Sequence, residues 1–163
     1  MKILTTIAFL IAVTQLYDQS EKIYNPSSDA AEQIENAVAQ AQAENKNVLL
    51  LIGGNWCPWC RKFHKYINED QQIDSLINAN YIRTYINYSK ENKNLETLKK
   101  LEFPQRFGFP VFVILNEKGE RIHTQNSALL ESGDGYDRKK VIGFLMDWRP
   151  AVLNIKNYKD YSD

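Results

Sequence analysis

A chain of 163 residues has room for one domain with a real hydrophobic core, but not for two. Its 20 Lys+Arg balance 20 Asp+Glu, and no basic stripe runs along it, which argues against nucleic acid as a partner. Hydrophobic residues at 44% and charged residues at 25% are those of an ordinary globular protein, and two cysteines three positions apart exclude a fold stapled by many disulfides.

Lys2 precedes an apolar run, Ile3 to Val13, broken only by Thr5 and Thr6. A bilayer span needs ~20 apolar residues, so this run is too short for one. It has the form of the central segment of a secretory signal peptide. Residues 1–17 are therefore expected to be a signal peptide, and the mature chain to be periplasmic or secreted. Ala12 and Thr14 make a weak cleavage pair, so an uncleaved membrane anchor stays open, as does a buried N-terminal helix. No cysteine follows the run to carry a lipid.

Residues 18–26 are polar and read as a linker, with Ile23-Tyr24 as a short edge strand. The folded domain is expected over 27–150. Asp29 with Glu32 forms a capping-box pattern, and Ala30, Ile34, Ala37, Val38 and Ala41 recur at helical spacing up to about Ala43. Val48 to Ile52 is a continuous apolar run that reads as a strand buried on both faces. Gly53-Gly54-Asn55 breaks it just before the cysteines. A helix follows, with Cys60, Phe63 and Ile67 on one face, then a helical stretch over Gln71 to Asn78 and a strand over Tyr81 to Tyr88.

Leu95, Leu98 and Leu101 mark a further helix. Val111 to Leu115 is a strong strand, turned by Asn116-Glu117-Lys118-Gly119 into a hairpin partner at Arg121 to Thr124. A loop fills Gln125 to Asp137, and a last helix runs from Arg138 to Trp148. Residues 151–163 are a C-terminal tail. Alternating elements that end in a hairpin imply an α/β fold, a mixed sheet with helices on both faces.

The cysteines carry the chemistry. Cys57 falls at the first turn of a helix, where unpaired N–H groups and the positive end of the dipole favour a thiolate. Pro58 suits that turn because it has no N–H to lose. Cys60 lies one turn on, so Cys57 can attack a substrate disulfide and Cys60 can resolve the mixed disulfide. A structural disulfide, an inert pair of core thiols and a zinc site are the competing readings. Zinc needs four ligands, and only His64 and His123 are available to complete a set, so no metal and no cofactor are expected. His64 is ~10 Å beyond Cys57 along the helix axis, too far to be its base, and reads as a surface residue. Arg61 is the better candidate for electrostatic tuning, because helical side chains lean toward the N-terminus.

Trp56-Cys57-Pro58-Trp59-Cys60 after a buried strand, with Phe109-Pro110-Val111-Phe112-Val113 further on, resembles the thioredoxin-like superfamily, in its exported bacterial branch. The resemblance covers Ile23 to Arg149. It implies a thioredoxin fold with a central sheet of four to five strands, and a cis Pro110 facing the cysteine pair. Trp56, Pro58, Trp59, Phe109 and Pro110 then form the substrate-binding surface. It further implies a monomeric thiol–disulfide oxidoreductase acting on protein thiols and disulfides, served by an electron-donor protein of unknown identity.

Pro58-Trp59 is closer to the Pro-Tyr of glutaredoxins than to the Gly-Pro of thioredoxins. A glutathione-linked enzyme therefore stays open, as does a binding module with a passive cysteine pair. Leu51 occupies the position where thioredoxins place a buried carboxylate, so either another acid substitutes or Cys60 is deprotonated slowly. Neither Pro58 nor Trp59 can donate to sulfur from a charged side chain, and Trp59 adds an apolar face. The expected poise is reducing to intermediate, that of a reductase or isomerase. The loop from Gln125 to Asp137 starts beside the cysteines and is expected to tune substrate choice.

Overall fold

The computed structural model describes residues 22–158 and residue 160. Asp29 starts α1 (Ala30–Glu44): its carboxylate accepts from the N–H groups of Ala31 and Glu32 at 2.7 and 3.3 Å. Asn45 ends the helix in the left-handed region, with φ 55°. β1 (Asn47–Gly53) is buried at every position, which is why its sequence is apolar almost throughout. α2 (Pro58–Glu69) and α3 (Gln71–Asn80) follow, separated by Asp70, which caps α3. β2 (Tyr81–Asn87) pairs parallel with β1.

α4 (Leu95–Lys100) leads through a short 3-10 turn to β3 (Val111–Leu115), antiparallel to β1, and β4 (Arg121–Asn126) completes the hairpin. The four-stranded mixed sheet has the order β2-β1-β3-β4. Strand side chains alternate between faces, so one all-apolar strand feeds two cores. Leu49, Leu51, Phe112 and Ile114 meet Phe63, Ile67, Ile73, Ile77, Val141 and Leu145 on one face. Val48, Leu50, Ile52, Val111 and Val113 meet Ala37, Ala41 and Leu98 on the other. This is the α/β thioredoxin fold that the family resemblance implied.

Three expectations need correction. Ile23-Tyr24 is not a strand, because the Asn55 side chain takes both backbone groups of Tyr24. Nor is Tyr24 part of a solvated linker, since it is 2% exposed. The segment from Gln125 to Asp137 is not a plain loop. After the end of β4 it forms a 3-10 turn (Ser127–Leu130) and a small antiparallel pair, β5 (Glu131–Ser132) and β6 (Gly135–Tyr136), with Gly133 at φ 55° in the turn. Leu130 and Tyr136 are buried in the core and hold the segment down.

α5 (Arg138–Asp147) follows, and the expected tail contains part of α6 (Pro150–Leu153) and a 3-10 turn (Ile155–Asn157). The expected signal peptide, residues 1–17, lies outside the described residues. Among the described residues no helix is long and apolar enough to cross a membrane.

Candidate active site

β1 delivers the chain to the site and Gly53-Gly54 turns it. A side chain on Gly54 would sit 2.4 Å from Trp56 Nε1 and 2.6 Å from the Tyr88 carbonyl, so only glycine fits. The Cys57 N–H bonds the Gly54 carbonyl at 3.0 Å and closes the turn. Cys57 then caps α2, with Pro58 at its first position, and the Cys60 N–H donates to Cys57 Sγ at 3.1 Å. Cys57 and Cys60 form a disulfide with a Cα–Cα separation of 5.2 Å, and both residues are buried. An N–H at a helix N-terminus aimed at Cys57 Sγ favours a thiolate there once the disulfide is opened.

The other sequence-derived site residues lie on or just before α2 and β3. The Phe109–Pro110 peptide bond is cis, and Val111, the next residue, pairs with Ile52 of β1. Phe109 and Trp59 both pack against the cluster of Tyr24, Cys57 and Cys60. Trp56 is 54% exposed, donates from Nε1 to the Tyr88 carbonyl at 2.7 Å, and stacks edge-on against Phe109 at 5.6 Å. A groove of about 660 Å³ opens beside it, lined by Pro26, Asn55, Trp56, Asn87, Tyr88 and Lys90 among others. Trp59 is half-buried: its ring meets Tyr136 edge-on at 5.6 Å and carries Lys62 Nζ over its face at 4.2 Å. Pro58 is exposed.

Arg61 places one guanidinium N–H on the Asn55 carbonyl at 2.7 Å, two residues before Cys57. His64 is not the plain surface residue expected. It is half-buried, with Nδ1 2.7 Å from the Tyr85 hydroxyl. His123 stacks on Trp148 at 4.2 Å. Among the described residues, no three His, Cys, Asp or Glu side chains converge as a metal-binding set. Leu51 sits in the apolar core opposite Phe112.

Sequence reasoning missed Tyr24 and Asn55. Asn55 Oδ1 accepts from the Tyr24 N–H at 3.0 Å, and Asn55 Nδ2 donates to the Tyr24 carbonyl at 2.7 Å. This clamp lays the Tyr24 ring against the cysteines, and the ring meets Tyr85 edge-on at 5.6 Å. Burial pushes the Tyr24 phenol pKa far above its ordinary value. The available signal was Ile23-Tyr24 itself, an apolar pair inside a polar stretch.

Residues 34–129 match the model of the thioredoxin-like domain family. The chain is 25% identical over 112 residues to the thiol:disulfide interchange protein DsbD of Vibrio cholerae; this covers 69% of the chain but 18% of that relative, so the chain spans less than a fifth of its length. A disulphide isomerase from Xylella fastidiosa Temecula1 superposes with a TM-score of 0.69 and 25% identity, over 78% of this chain and 97% of that one. A thioredoxin from Thermus thermophilus shares the fold at 16% identity and a TM-score of 0.55, over 79% and 92% of the two chains. A cysteine pair placed this way can undergo thiol–disulfide exchange. With the family match running from α1 into the 3-10 turn beyond β4, the chain belongs to the thioredoxin-like domain family.

Proposed function

We propose that the protein exchanges disulfides with other proteins outside the cytoplasm, with Cys57 as nucleophile and Cys60 as resolving thiol. The observation that carries this reading is the Cys57–Cys60 disulfide at the N-terminus of α2, with the Cys60 N–H on Cys57 Sγ. In the reductive direction the Cys57 thiolate attacks one sulfur of a substrate disulfide and releases the other as a thiolate. Cys60 then attacks Cys57 Sγ and frees the reduced substrate. Trp56, Phe109 and the groove beside them offer an apolar surface for an extended substrate strand, to which Pro58, Trp59 and Pro110 add.

The apolar run from Ile3 to Val13 supports an extracytoplasmic location, and the likeness to DsbD supports a redox partner protein as electron donor. The poise proposed is that of a reductase or isomerase: the helix N-terminus favours the Cys57 thiolate, while the burial of Cys57 and the apolar face of Trp59 oppose it.

The test is trapping. Cys60→Ser in the native compartment should accumulate mixed disulfides through Cys57, and Cys57→Ser/Cys60→Ser should accumulate none. If Cys60→Ser traps nothing and Cys57 reacts with thiol reagents no faster than an unperturbed cysteine, the protein is a binding module. Residues 1–30 fused to a reporter active only outside the cytoplasm should give signal; a silent fusion refutes export.

A further inference from the structure

The resolving thiol has a problem that the nucleophile does not. Cys60 must become a thiolate to attack Cys57, yet it is 2% exposed and lies among apolar and aromatic side chains, where a naked charge is disfavoured. Its backbone N–H is directed to Cys57 Sγ and does not serve it. A polar group does come close. A Cβ built on Gly53 would fall 2.4 Å from Cys60 Sγ and 3.0 Å from the Tyr24 hydroxyl oxygen, so sulfur and phenol oxygen both border the space that this glycine leaves open. Three anchors hold the phenol there: the Asn55 clamp on its backbone, the edge-on Tyr85 ring, and the His64 nitrogen that fixes the Tyr85 hydroxyl.

We infer that the Tyr24 hydroxyl donates a hydrogen bond to the Cys60 thiolate in the resolving step, supplying the polar contact that Leu51 does not. The inference rests on the exchange chemistry proposed above. Cys60 attacks Cys57 Sγ, the Cys57–Cys60 bond forms, and the bond from Cys57 to the substrate sulfur breaks. The electron pair leaves with that sulfur, which takes up the proton lost by Cys60. Tyr24 keeps its own proton throughout: a phenol whose pKa is raised by burial is a donor at working pH and not a base. The other titratable or charged groups near this contact are Cys57, Tyr85 with its partner His64, Tyr136, and Arg61 on the Asn55 carbonyl.

The experiment is the pH profile of Cys60 alkylation by iodoacetamide in a Cys57→Ser background. Tyr24→Phe, which keeps the ring, should move the midpoint up by about one unit and cut the neutral-pH rate about tenfold. In the chain with both cysteines, reduced and treated with an aromatic disulfide reagent, Tyr24→Phe should slow release of the second thiol equivalent about tenfold and leave the first unchanged. A Cys60 midpoint that does not move overturns the inference. Should Tyr24→Phe fail to fold, 3-fluorotyrosine placed at position 24 makes the phenol a stronger donor. It should move the midpoint down, and an unmoved midpoint again refutes the contact. Protein trapping by Cys60→Ser does not involve Tyr24, so failure of the functional reading is separately visible.

Discussion

The Asn55 side chain closes on both backbone polar groups of Tyr24, accepting from its N–H at 3.0 Å and donating to its carbonyl at 2.7 Å across 31 positions of sequence. It is what docks the segment before α1 onto the active-site turn. Asn55→Ala leaves a part-buried donor and acceptor unpaired and should cost about 1–3 kcal/mol of stability, read from urea denaturation. Asn55→Asp should not rescue it, because a carboxylate cannot donate to the Tyr24 carbonyl.

Gly53 and Gly54 tolerate no side chain. Gly53→Ala puts a methyl group 2.4 Å from Cys60 Sγ, and Gly54→Ala puts one 2.6 Å from the Tyr88 carbonyl oxygen. Each should destabilise the protein by about 1–3 kcal/mol, as overpacking of a buried site does. Gly53→Ala should also weaken the Cys57–Cys60 bond, measured as the fraction oxidised in a fixed glutathione buffer; an unchanged fraction would show that Cys60 has room to move.

Tyr136 ties the segment after β4 to α2. Its ring meets Trp59, Phe63 and Tyr66, and its hydroxyl donates to the Trp59 carbonyl at 3.4 Å. Tyr136→Ala should cost about 3–5 kcal/mol, the range for removing a buried aromatic ring, and should alter Trp59 fluorescence. Substrate tuning by this segment is therefore better tested at its exposed tip, Ser132 to Asp134, than by shortening it. Changes at the tip should alter which proteins Cys60→Ser traps and leave the melting temperature alone.

Asp70 caps α3 through the N–H groups of Gln72 and Ile73 and pairs with Arg138 on α5 at 2.6 Å. The Arg138 hydrogen bond is the main cause that lowers the Asp70 pKa. A carboxylate lowered by folding adds stability that is fully present above its unfolded value of about 4, and this is lost as pH falls through the folded value. Asp70→Asn keeps a good cap but removes the charge. The variant should be less stable than wild type at pH 7, and the gap should close toward pH 2. A gap that stays constant in urea titrations would show that the ion pair contributes nothing.

The proposed poise rests on two opposing effects at Cys57, the helix N-terminus and burial. Equilibration with glutathione redox buffers should leave the pair oxidised in oxidising mixtures and reduced only in reducing to intermediate ones. A pair that stays reduced in strongly oxidising buffer would mark the protein as a disulfide donor instead.

What the sequence revealed tracks how local each feature is. β1 and β3 are continuous apolar runs, and the cysteines sit at a strand break followed by proline, so strand, turn and helix could be read within a window of about a dozen residues. That the sheet is mixed followed from alternation and the hairpin; its strand order came only with the structure. Tyr24 could not be read this way. Its contacts are with Asn55 and Cys60, more than thirty positions away, and the pair Ile23-Tyr24 stands alone in a polar stretch. β5 and β6 are two residues each, too short for any period to show. His64 was placed correctly on a helix, but its partner Tyr85 comes from β2, which no helical spacing could announce.

β1 is flanked on both edges, by β2 and β3, and every residue in it is buried. Opening free energy varies within a fold and is greatest in such central strands. The cysteines therefore hang from the part of the molecule whose amides should exchange with solvent last. A thiol from another protein therefore cannot count on local unfolding at β1 to reach Cys57, which is itself buried. Access to the sulfurs falls instead to the other walls around them, the Tyr24 segment, the first turn of α2 and the Phe109 ring.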